Sequence, residues 1–248
     1  MFTVEQTAVF AEWLAALRDR EATKRILTRI VRLQSGLLGD HRSLGGRVSE
    51  IRVDVGPGYR LYFTRRGERL ILLLCGGDKG TQDRDVKRAK ECRAPSGRSL
   101  HRSDLRHAGG MTHLIRLGTG FRSGMSDAQT GEHEEPSDMK NGSRTVEIRP
   151  FDAAEHLKGD EEAQIFLIRD AIESGHAGYI ANAIGAVARA RGGLSSLERA
   201  TGMKRQSLNK ALGPNGNPTI ETLLPVLKAL GLHLSVEDAG KEPELAQA

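Results

Sequence analysis

The stretch GPGYRLYFTRRGERLILLLCGGDKGTQ, residues 56–82, decides the fold of the first part of the chain. Its GPG turn leads into YRLYFT, where apolar and polar residues alternate with the period of two that is typical of a β-strand. A second turn, RRG, leads into the apolar strand RLILLLC, and GGDKGTQ follows as a glycine-rich loop. Arg60 lies in the first strand and Lys79 in the loop, which raises the question of whether these two cations act on a phosphate group.

The residues on either side of this stretch complete a small α+β domain. SEIRVDV alternates as a strand, and FTVEQ near the N-terminus is predicted as another. Between these strands, TAVFAEWLAALRD and EATKRILTRIVRLQSG have apolar residues at helical spacing, and the basic segment DRDVKRAKECR is predicted as a third helix. The predicted order for residues 1–94 is β-α-α-β-β-β-α, with the strands forming an antiparallel sheet.

The segment 95–145 has no sustained periodicity. It is rich in Ser, Gly, His and Arg and then in acidic residues, a composition typical of a disordered linker. His101, His107 and His113 occur here without a companion pair of cysteines, so we expect no metal site. No cofactor is indicated by the sequence.

Residues 146–240 are predicted to form an all-α domain. DEEAQIFLIRDAIESG and AGYIANAIGAVARARGG read as helices that end at glycines. GNPTIETLLPVLKALGL reads as a further helix, with Thr219 as a candidate N-cap and Pro225 inside the helical pattern.

A helix-turn-helix pattern lies within LSSLERATGMKRQSLNKAL, residues 194–212. Leu197 and Leu208 are spaced to pack two helices together, and Gly202 is suited to a left-handed turn between them. Two residues depart from the usual pattern, because Glu198 replaces a small residue and Lys204 replaces a capping serine. The second helix presents side chains that match base edges and phosphates in a major groove, namely Lys204, Arg205, Gln206, Ser207, Asn209 and Lys210. The alternative is a helical bundle without DNA contact.

The net charge is unevenly distributed along the 248 residues. Residues 1–95 contain 19 basic and 12 acidic residues, a net charge of +7, whereas residues 146–248 contain 11 basic and 14 acidic residues, a net charge of −3. A basic first half favours polyanion binding, and the two halves can also attract each other. The acidic stretch Asp160–Glu162 is a candidate for contact with the basic half.

Several classes of protein are disfavoured by the sequence. No apolar run is long enough to cross a membrane, and MFTVEQTAVFAEWL lacks the charge pattern of a signal peptide. Cys75 and Cys92 have no zinc-binding spacing, so a reducing cytoplasm is the expected compartment. A nucleotide-binding P-loop has the pattern GxxxxGK followed by Ser or Thr, and GGDKGT does not fit this pattern.

Residues 151–236 resemble the HigA-like, Xre-type antitoxins of bacterial toxin–antitoxin modules. The resemblance rests on FDAAEHLKGDEEAQIFLIRDAIESG, ANAIGAVARARGGLSSLERATG, SLNKAL and GNPTIETLLPVLKALGL. Residues 2–93 resemble the companion toxin, a small HigB-like member of the RelE/ParE superfamily, through VSEIRVDVGPGYRLYFTRRG and LLLCGGDKGTQDRDVKRAKE. Such modules normally encode two chains, and Met111 and Met139 are positions at which a separate antitoxin would start.

The resemblance implies a metal-independent endonuclease that cuts messenger RNA in the ribosome, by attack of the 2′-hydroxyl on the adjacent phosphate. This reaction needs a base, an acid and cations that stabilise the transition state. The implied catalytic cations are Arg52, Arg60 and Lys79. The implied RNA-binding residues are Arg52, Arg60, Tyr62, Lys79 and Gln82.

Two departures from the toxin pattern leave the acid and the base unassigned. Glu50 stands where a RelE-type enzyme has a catalytic lysine, and no tyrosine follows the Lys79 loop. The alternative for Arg60 is a structural ion pair, with Asp54 as a candidate partner.

The resemblance also implies partners. The antitoxin half is expected to neutralise the toxin half in cis or in trans, and to repress its own promoter as a homodimer on operator DNA. One alternative is a DNA-binding transcriptional repressor whose toxin-like domain is catalytically inactive. A third possibility is a gyrase poison of the ParE kind, which shares the toxin fold without the ribonuclease cations.

Overall fold

The computed structural model describes residues 1–93, 113–116, 145–213 and 215–235. The chain divides into two compact units, each of which combines early and late parts of the sequence. The sheet unit comprises Thr3–Arg18 and Asp40–Phe151. The helical unit comprises Met1–Phe2, Asp19–Gly39 and Asp152–Ala248. The division by function into residues 1–94, 95–145 and 146–240 stays a prediction.

The sheet unit contains one sheet, built from seven strands among the described residues. These strands are β1 (Thr3–Thr7), β2 (His41–Ser43), β3 (Ser49–Val53), β4 (Tyr59–Arg66), β5 (Leu70–Asp78), β6 (His113–Arg116) and β7 (Thr145–Pro150). Their order in the sheet is β2-β3-β4-β5-β1-β7-β6.

The described residues also form nine α-helices. They are α1 (Ala8–Ala16), α2 (Arg20–Gln34), α3 (Gln82–Cys92), α4 (Ala153–Leu157), α5 (Glu161–Glu173), α6 (Ala177–Ala190), α7 (Leu194–Thr201), α8 (Arg205–Ala211) and α9 (Ile220–Ala229). A short 3-10 turn, Lys79–Thr81, joins β5 to α3. Helices α1 and α3 belong to the sheet unit, and the other seven belong to the helical unit. None of the helices in the described ranges combines the length and the apolar character needed to cross a membrane.

The sheet is mixed, so the prediction of an antiparallel sheet was wrong. β1 pairs in parallel with β5, with Val4 opposite Ile71, whereas the other strand pairs are antiparallel. Strands joined by a short turn must run antiparallel, but β1 and β5 are far apart in the sequence and no turn fixes their direction. Alternation along each strand therefore predicted the strands without predicting this pairing.

Three strands were missed by the sequence analysis: β2, β6 and β7. β7 pairs with the edge of β1, and β6 pairs with β7. In β7, Val146 and Ile148 are buried and alternate with Glu147 and Arg149, and Ile148 joins a core cluster with Tyr62, Leu72 and Leu74. The predicted all-α domain of residues 146–240 therefore begins with a strand. Residues 95–112 and 117–144 of the predicted linker, with His101, His107, Met111 and Met139, lie outside the described residues.

Strand β5 extends to Asp78, beyond the predicted end of the strand at Cys75. Gly76 and Gly77 belong to the strand, and each has a side chain of a neighbouring helix packed directly against it. A β-carbon at Gly76 would overlap the Trp13 ring of α1, and a β-carbon at Gly77 would overlap the Asp85 carboxylate of α3. Glycine inside a strand commonly marks such a close approach, so these two glycines serve packing rather than a loop.

In the helical unit, α2 packs against α4, α5 and α6. The apolar spacing that predicted α2 is buried as expected, at Ile26, Ile30 and Leu33. Helix α4 was not predicted, and Asp152 caps it by accepting a hydrogen bond from Ala154 N at 3.0 Å. Helix α9 follows Thr219, as predicted, although the Thr219 side chain makes no capping hydrogen bond, and Pro225 lies inside the helix.

Candidate functional site

Arg52 and Arg60 converge on a buried carboxylate in the sheet unit. The register of β3 and β4 places these two arginines directly opposite each other, so their side chains share one face of the sheet. Glu50, two residues before Arg52, is fully buried on the same face. Its Oε1 lies 3.4 Å from Arg52 Nη2, and its Oε2 lies 3.6 Å from Arg60 Nε. Gln82 Nε2 donates to Glu50 Oε2 at 3.3 Å. We call Glu50, Arg52, Arg60 and Gln82 the Glu50 cluster.

The members of the Glu50 cluster differ in access to solvent. The Arg52 side chain is 47% exposed, whereas the Arg60 side chain is only 10% exposed. Arg60 also donates from Nη1 to the Gly58 carbonyl at 3.4 Å. The partner of Arg60 is thus Glu50, and not Asp54 as the alternative interpretation proposed. Of the two arginines, Arg52 is the one that a phosphate in solvent can reach.

Lys79 and Tyr62 lie differently from the Glu50 cluster. Lys79 is exposed on the 3-10 turn after β5, and its Cβ lies beside Gly58, the residue whose carbonyl holds Arg60. Tyr62 is fully buried, and its hydroxyl has no hydrogen-bond partner among the described residues. Burial raises the pKa of Tyr62 above its usual value, and the neighbouring Glu50 and Asp85 raise it further. Tyr62 therefore presents no surface to RNA in this arrangement.

A cleft of about 420 Å³ opens beside Arg52. It is lined by Asp40, His41, Arg42, Ser43, Glu50 and Arg52. Carboxylates, an imidazole and guanidinium groups are the residue types that acid–base and phosphoryl chemistry require. Across the described ranges, no group of three or more His, Cys, Asp or Glu side chains is arranged to hold a metal ion.

Sequence analysis missed the β2 side of this cleft. DHRS has no apolar residue that alternation would detect, since all three residues of β2 are exposed. The available signal was the glycine pair of SLGGRVS, which joins two short extended segments as a hairpin does. Arg42 lies directly opposite Glu50 in the β2–β3 register, which adds a third arginine to this face of the sheet.

In the helical unit, α2 is held by an acidic and aromatic face of α5 and α6. Asp170 accepts two hydrogen bonds from Arg32, from Nε at 2.9 Å and from Nη2 at 2.7 Å. Tyr179 donates its hydroxyl to Asp170 at 2.5 Å, and the Arg32 guanidinium lies 5.6 Å from the centre of the Tyr179 ring. Burial raises the pKa of Tyr179, and so does its hydrogen bond to Asp170, so the phenol stays protonated and remains a donor.

A second set of contacts fixes each end of α2 to the same face. Lys24 Nζ lies 2.5 Å from Glu162 Oε1 and 2.7 Å from Glu21 Oε2, and 5.9 Å from the centre of the Phe166 ring. The hydrogen bond to Glu162 raises the pKa of Lys24, so the ammonium stays charged. At the other end of α2, Asn182 Nδ2 donates to Ser35 Oγ at 3.3 Å. The acidic stretch Asp160–Glu162 thus contributes Glu162 to this contact.

Helices α7 and α8 form a pair around Gly202, whose φ of 70° is left-handed. Leu197 and Leu208 are buried, as their spacing predicted. The six candidate DNA-binding residues are all exposed, namely Lys204, Arg205, Gln206, Ser207, Asn209 and Lys210. A shallow depression is lined by three of these residues, Arg205, Gln206 and Asn209, and by Leu194.

The two departures from the helix-turn-helix pattern compensate each other. Lys204, at the N-cap of α8, makes no side-chain capping hydrogen bond. Glu198 Oε1 instead accepts a hydrogen bond from Arg205 N at 3.1 Å, which satisfies one free donor of the first turn of α8. Glu198 reaches this donor from α7, so the cap also fixes α8 to α7.

We expect Glu198→Ala to lower the free energy of unfolding of the helical unit by about 1 kcal/mol, the usual value of a lost N-cap. Denaturant unfolding of the full chain measures this change. Glu198→Gln keeps an acceptor oxygen and is expected to lose less than half as much. Equal stability of the alanine variant and the unmodified chain would show that the cap contributes nothing.

Comparison with known proteins places residues 147–238 against one family model, described as "Probable addiction module antidote protein". Two proteins of Haemophilus influenzae, both described as uncharacterized, are similar to the chain. One is 45% identical over 87 residues, which is 35% of this chain and 88% of that protein. The other is 39% identical over 95 residues, which is 38% of this chain and 96% of that protein. No solved structure matches the chain significantly.

Proposed function

Because the chain belongs, over residues 147–238, to the family of probable addiction module antidote proteins, we propose that it is a toxin and its antidote in one polypeptide. The C-terminal segment acts as the antidote, and the N-terminal segment acts as the toxin that it neutralises. This assignment of the toxin rests on the resemblance of residues 2–93 to the RelE/ParE superfamily.

The observation that supports the proposal best is the packing of α5 and α6 against α2, with ion pairs between them. Helix α2 belongs to the toxin-like segment, and α5 and α6 belong to the antidote-family segment. Arg32 and Lys24 are each bound by a carboxylate of the antidote-family segment, Asp170 and Glu162. A paired guanidinium and carboxylate, with an aromatic ring beneath, is an arrangement that gives specificity as well as energy. Strand β7 adds a second contact, because it pairs with β1 of the toxin-like segment.

We propose that the toxin-like segment cuts ribosome-bound messenger RNA at the surface formed by Arg52, Arg60 and Lys79. The 2′-oxygen would lose its proton to a base and attack phosphorus, and the 5′-oxygen would leave and take a proton. Arg52, half exposed beside the cleft, would contact the phosphate directly. Arg60 is buried against Glu50, so it would act by holding the strands in register and by contributing positive charge.

We further propose that α8 binds operator DNA and represses the promoter of the module, as a homodimer on an inverted repeat. Support comes from the exposure of polar and basic residues along α8, with Leu208 as its buried anchor. Arg205 and Asn209 lie one turn apart, so their side chains can reach neighbouring base pairs.

A second candidate function is a DNA-binding repressor whose toxin-like segment is inactive. One observation favours it: Glu50 lies between Arg52 and Arg60 and offsets their positive charge, at the position where the resemblance implies a catalytic lysine. In this case Arg60 is a structural cation, and only substitutions in α8 would have a phenotype.

Matched induction in bacteria tests the two candidates. We expect residues 1–94 alone to arrest growth and cut a translated message, and the full chain to do neither. Arg52→Ala in the fragment should relieve the arrest at least tenfold, because it removes the accessible cation without leaving Glu50 unpaired. Arg69→Ala, in the exposed β4–β5 turn, is the matched control and should change nothing. A folded, harmless fragment would favour the repressor, which loss of operator binding in Arg205→Ala/Asn209→Ala would then support.

A further inference from the structure

Helix α3 presents a basic face that the proposed cutting surface does not use. Asp85, Ala89 and Cys92 are the buried residues of this helix and face the sheet. The opposite side bears four exposed cations, which form no ion pair with any described residue: Arg84, Lys87, Arg88 and Lys90. Two exposed acidic residues, Asp83 and Glu91, leave this surface at a net charge of +2.

Helix α3, which bears this basic face (the α3 face), runs from the Glu50 cluster to the β2–β3 turn. At its start, Gln82 donates to Glu50, the carboxylate bound by Arg52 and Arg60. At its end, Lys90 Cε would lie 3.9 Å from a β-carbon at Gly46, which places it at the tip of the turn. Lys90 lies eight positions after Gln82, and at 1.5 Å per position the helix rises about 12 Å between them. This is the length of about three stacked nucleotides at 3.4 Å each.

We infer that the α3 face binds the phosphate backbone of single-stranded RNA and guides it toward Arg52 and the cleft. Lys and Arg on one exposed face attract phosphates without reading sequence, so the site is selective for charge and not for base. The inference rests on the proposal that the toxin-like segment acts on RNA, but it concerns binding and not cleavage. The four cations of α3 are exposed within the sheet unit, which includes strand β7 of the antidote-family segment. The inhibited protein should therefore still bind RNA.

Binding of the full chain to a fluorescently labelled oligouridine, followed by anisotropy from about 50 to 200 mM salt, tests the inference. All variants also contain Lys204→Ala, Arg205→Ala and Lys210→Ala, so that α8 contributes little charge. We expect Arg84→Glu/Lys87→Glu to weaken binding at least tenfold. The slope of log K against log salt should fall in magnitude by about 1.4, or about 0.7 for each phosphate that the variant no longer neutralises.

The matched control is Arg65→Glu/Arg69→Glu, which makes the same change in net charge at the exposed end of β4 and in the turn that follows it. Unchanged binding in the control and weakened binding in the α3 variant support the site. Equally weakened binding in both variants would mean that net charge alone attracts RNA, and unchanged binding in the α3 variant would remove the site; either result overturns the inference. Oligouridine binding does not require cutting. If the fragment 1–94 were harmless in bacteria, the proposed nuclease activity would be rejected, whereas the anisotropy measurement would still test RNA binding by the α3 face.

Discussion

Asp170→Ala in the full chain should lower the free energy of unfolding of the helical unit by about 3 kcal/mol. Removing one partner of a largely buried ion pair leaves the other charge without compensation, which costs about 3–5 kcal/mol when both groups are fully buried. Here the Arg32 and Asp170 side chains are 34% and 21% exposed, so the lower end of that range applies. The same substitution removes the acceptor of the buried Tyr179 hydroxyl, which adds to the destabilisation. Denaturant unfolding and amide exchange along α2 measure the effect.

Two further variants identify the cause of this destabilisation. Arg189→Ala breaks the exposed ion pair with Asp152, whose side chains are 45% and 42% exposed, and it should cost less than about 1 kcal/mol. Asp170→Asn keeps one acceptor for Tyr179 and should fall between Asp170→Ala and the unmodified chain. If Asp170→Ala cost no more than Arg189→Ala, the contact of α5 and α6 with α2 would contribute little stability. The proposal that this contact neutralises a toxin would then lose its main support.

Asp170→Ala also has an expected phenotype. A loosened α2 weakens the helical contact between the toxin-like and antidote-family segments, while the pairing of β7 with β1 remains. We therefore expect partial growth arrest on induction of this variant, and full arrest when Ile148→Asp, which places a charge at a buried position of β7, is added. Arg52→Ala in the same chain should abolish the arrest.

Gly76→Ala should cost the sheet unit about 3 kcal/mol, at the upper end of the usual penalty for overpacking a core. The added β-carbon overlaps the Trp13 ring, which is held in place by Phe10 and Tyr59 at centroid distances of 5.5 and 6.4 Å. Gly77→Ala should cost a similar amount, because its β-carbon overlaps Asp85, which accepts a hydrogen bond from the Thr81 hydroxyl. Thermal unfolding followed by tryptophan fluorescence reports on both variants, since Trp13 is the sole tryptophan.

Gly67→Ala separates crowding from backbone strain. Gly67 has a φ of 63°, and a β-carbon there meets no atom within 4 Å. Only the left-handed backbone penalty applies, roughly 1–2 kcal/mol. If Gly76→Ala and Gly77→Ala destabilised the sheet unit no more than Gly67→Ala, the helices would not press on β5 as closely as the structure indicates.

The cation site illustrates how far sequence reasoning reaches. The alternation of SEIRV and YRLYF predicted two strands, and the register of β3 and β4 brings Arg52 and Arg60 to a common face of the sheet. The partner of Arg60 was not predictable, because burial of Glu50 depends on α3 covering that face and on Gln82 reaching it. Glu50 alternates with apolar residues as an exposed strand residue does, so the sequence does not indicate that its side chain is buried.

The sequence by itself determined the local elements, since apolar periodicity and turn residues act over a few neighbouring positions. It also determined the helix pair around Gly202, because a left-handed turn between buried Leu197 and Leu208 is a local requirement. Tertiary structure alone decided the partners: β1 beside β5 and β7, α2 against α5 and α6, and Gly76 and Gly77 inside a strand. These contacts join residues far apart in the chain, and they depend on which surfaces bury each other and on no local preference of the backbone.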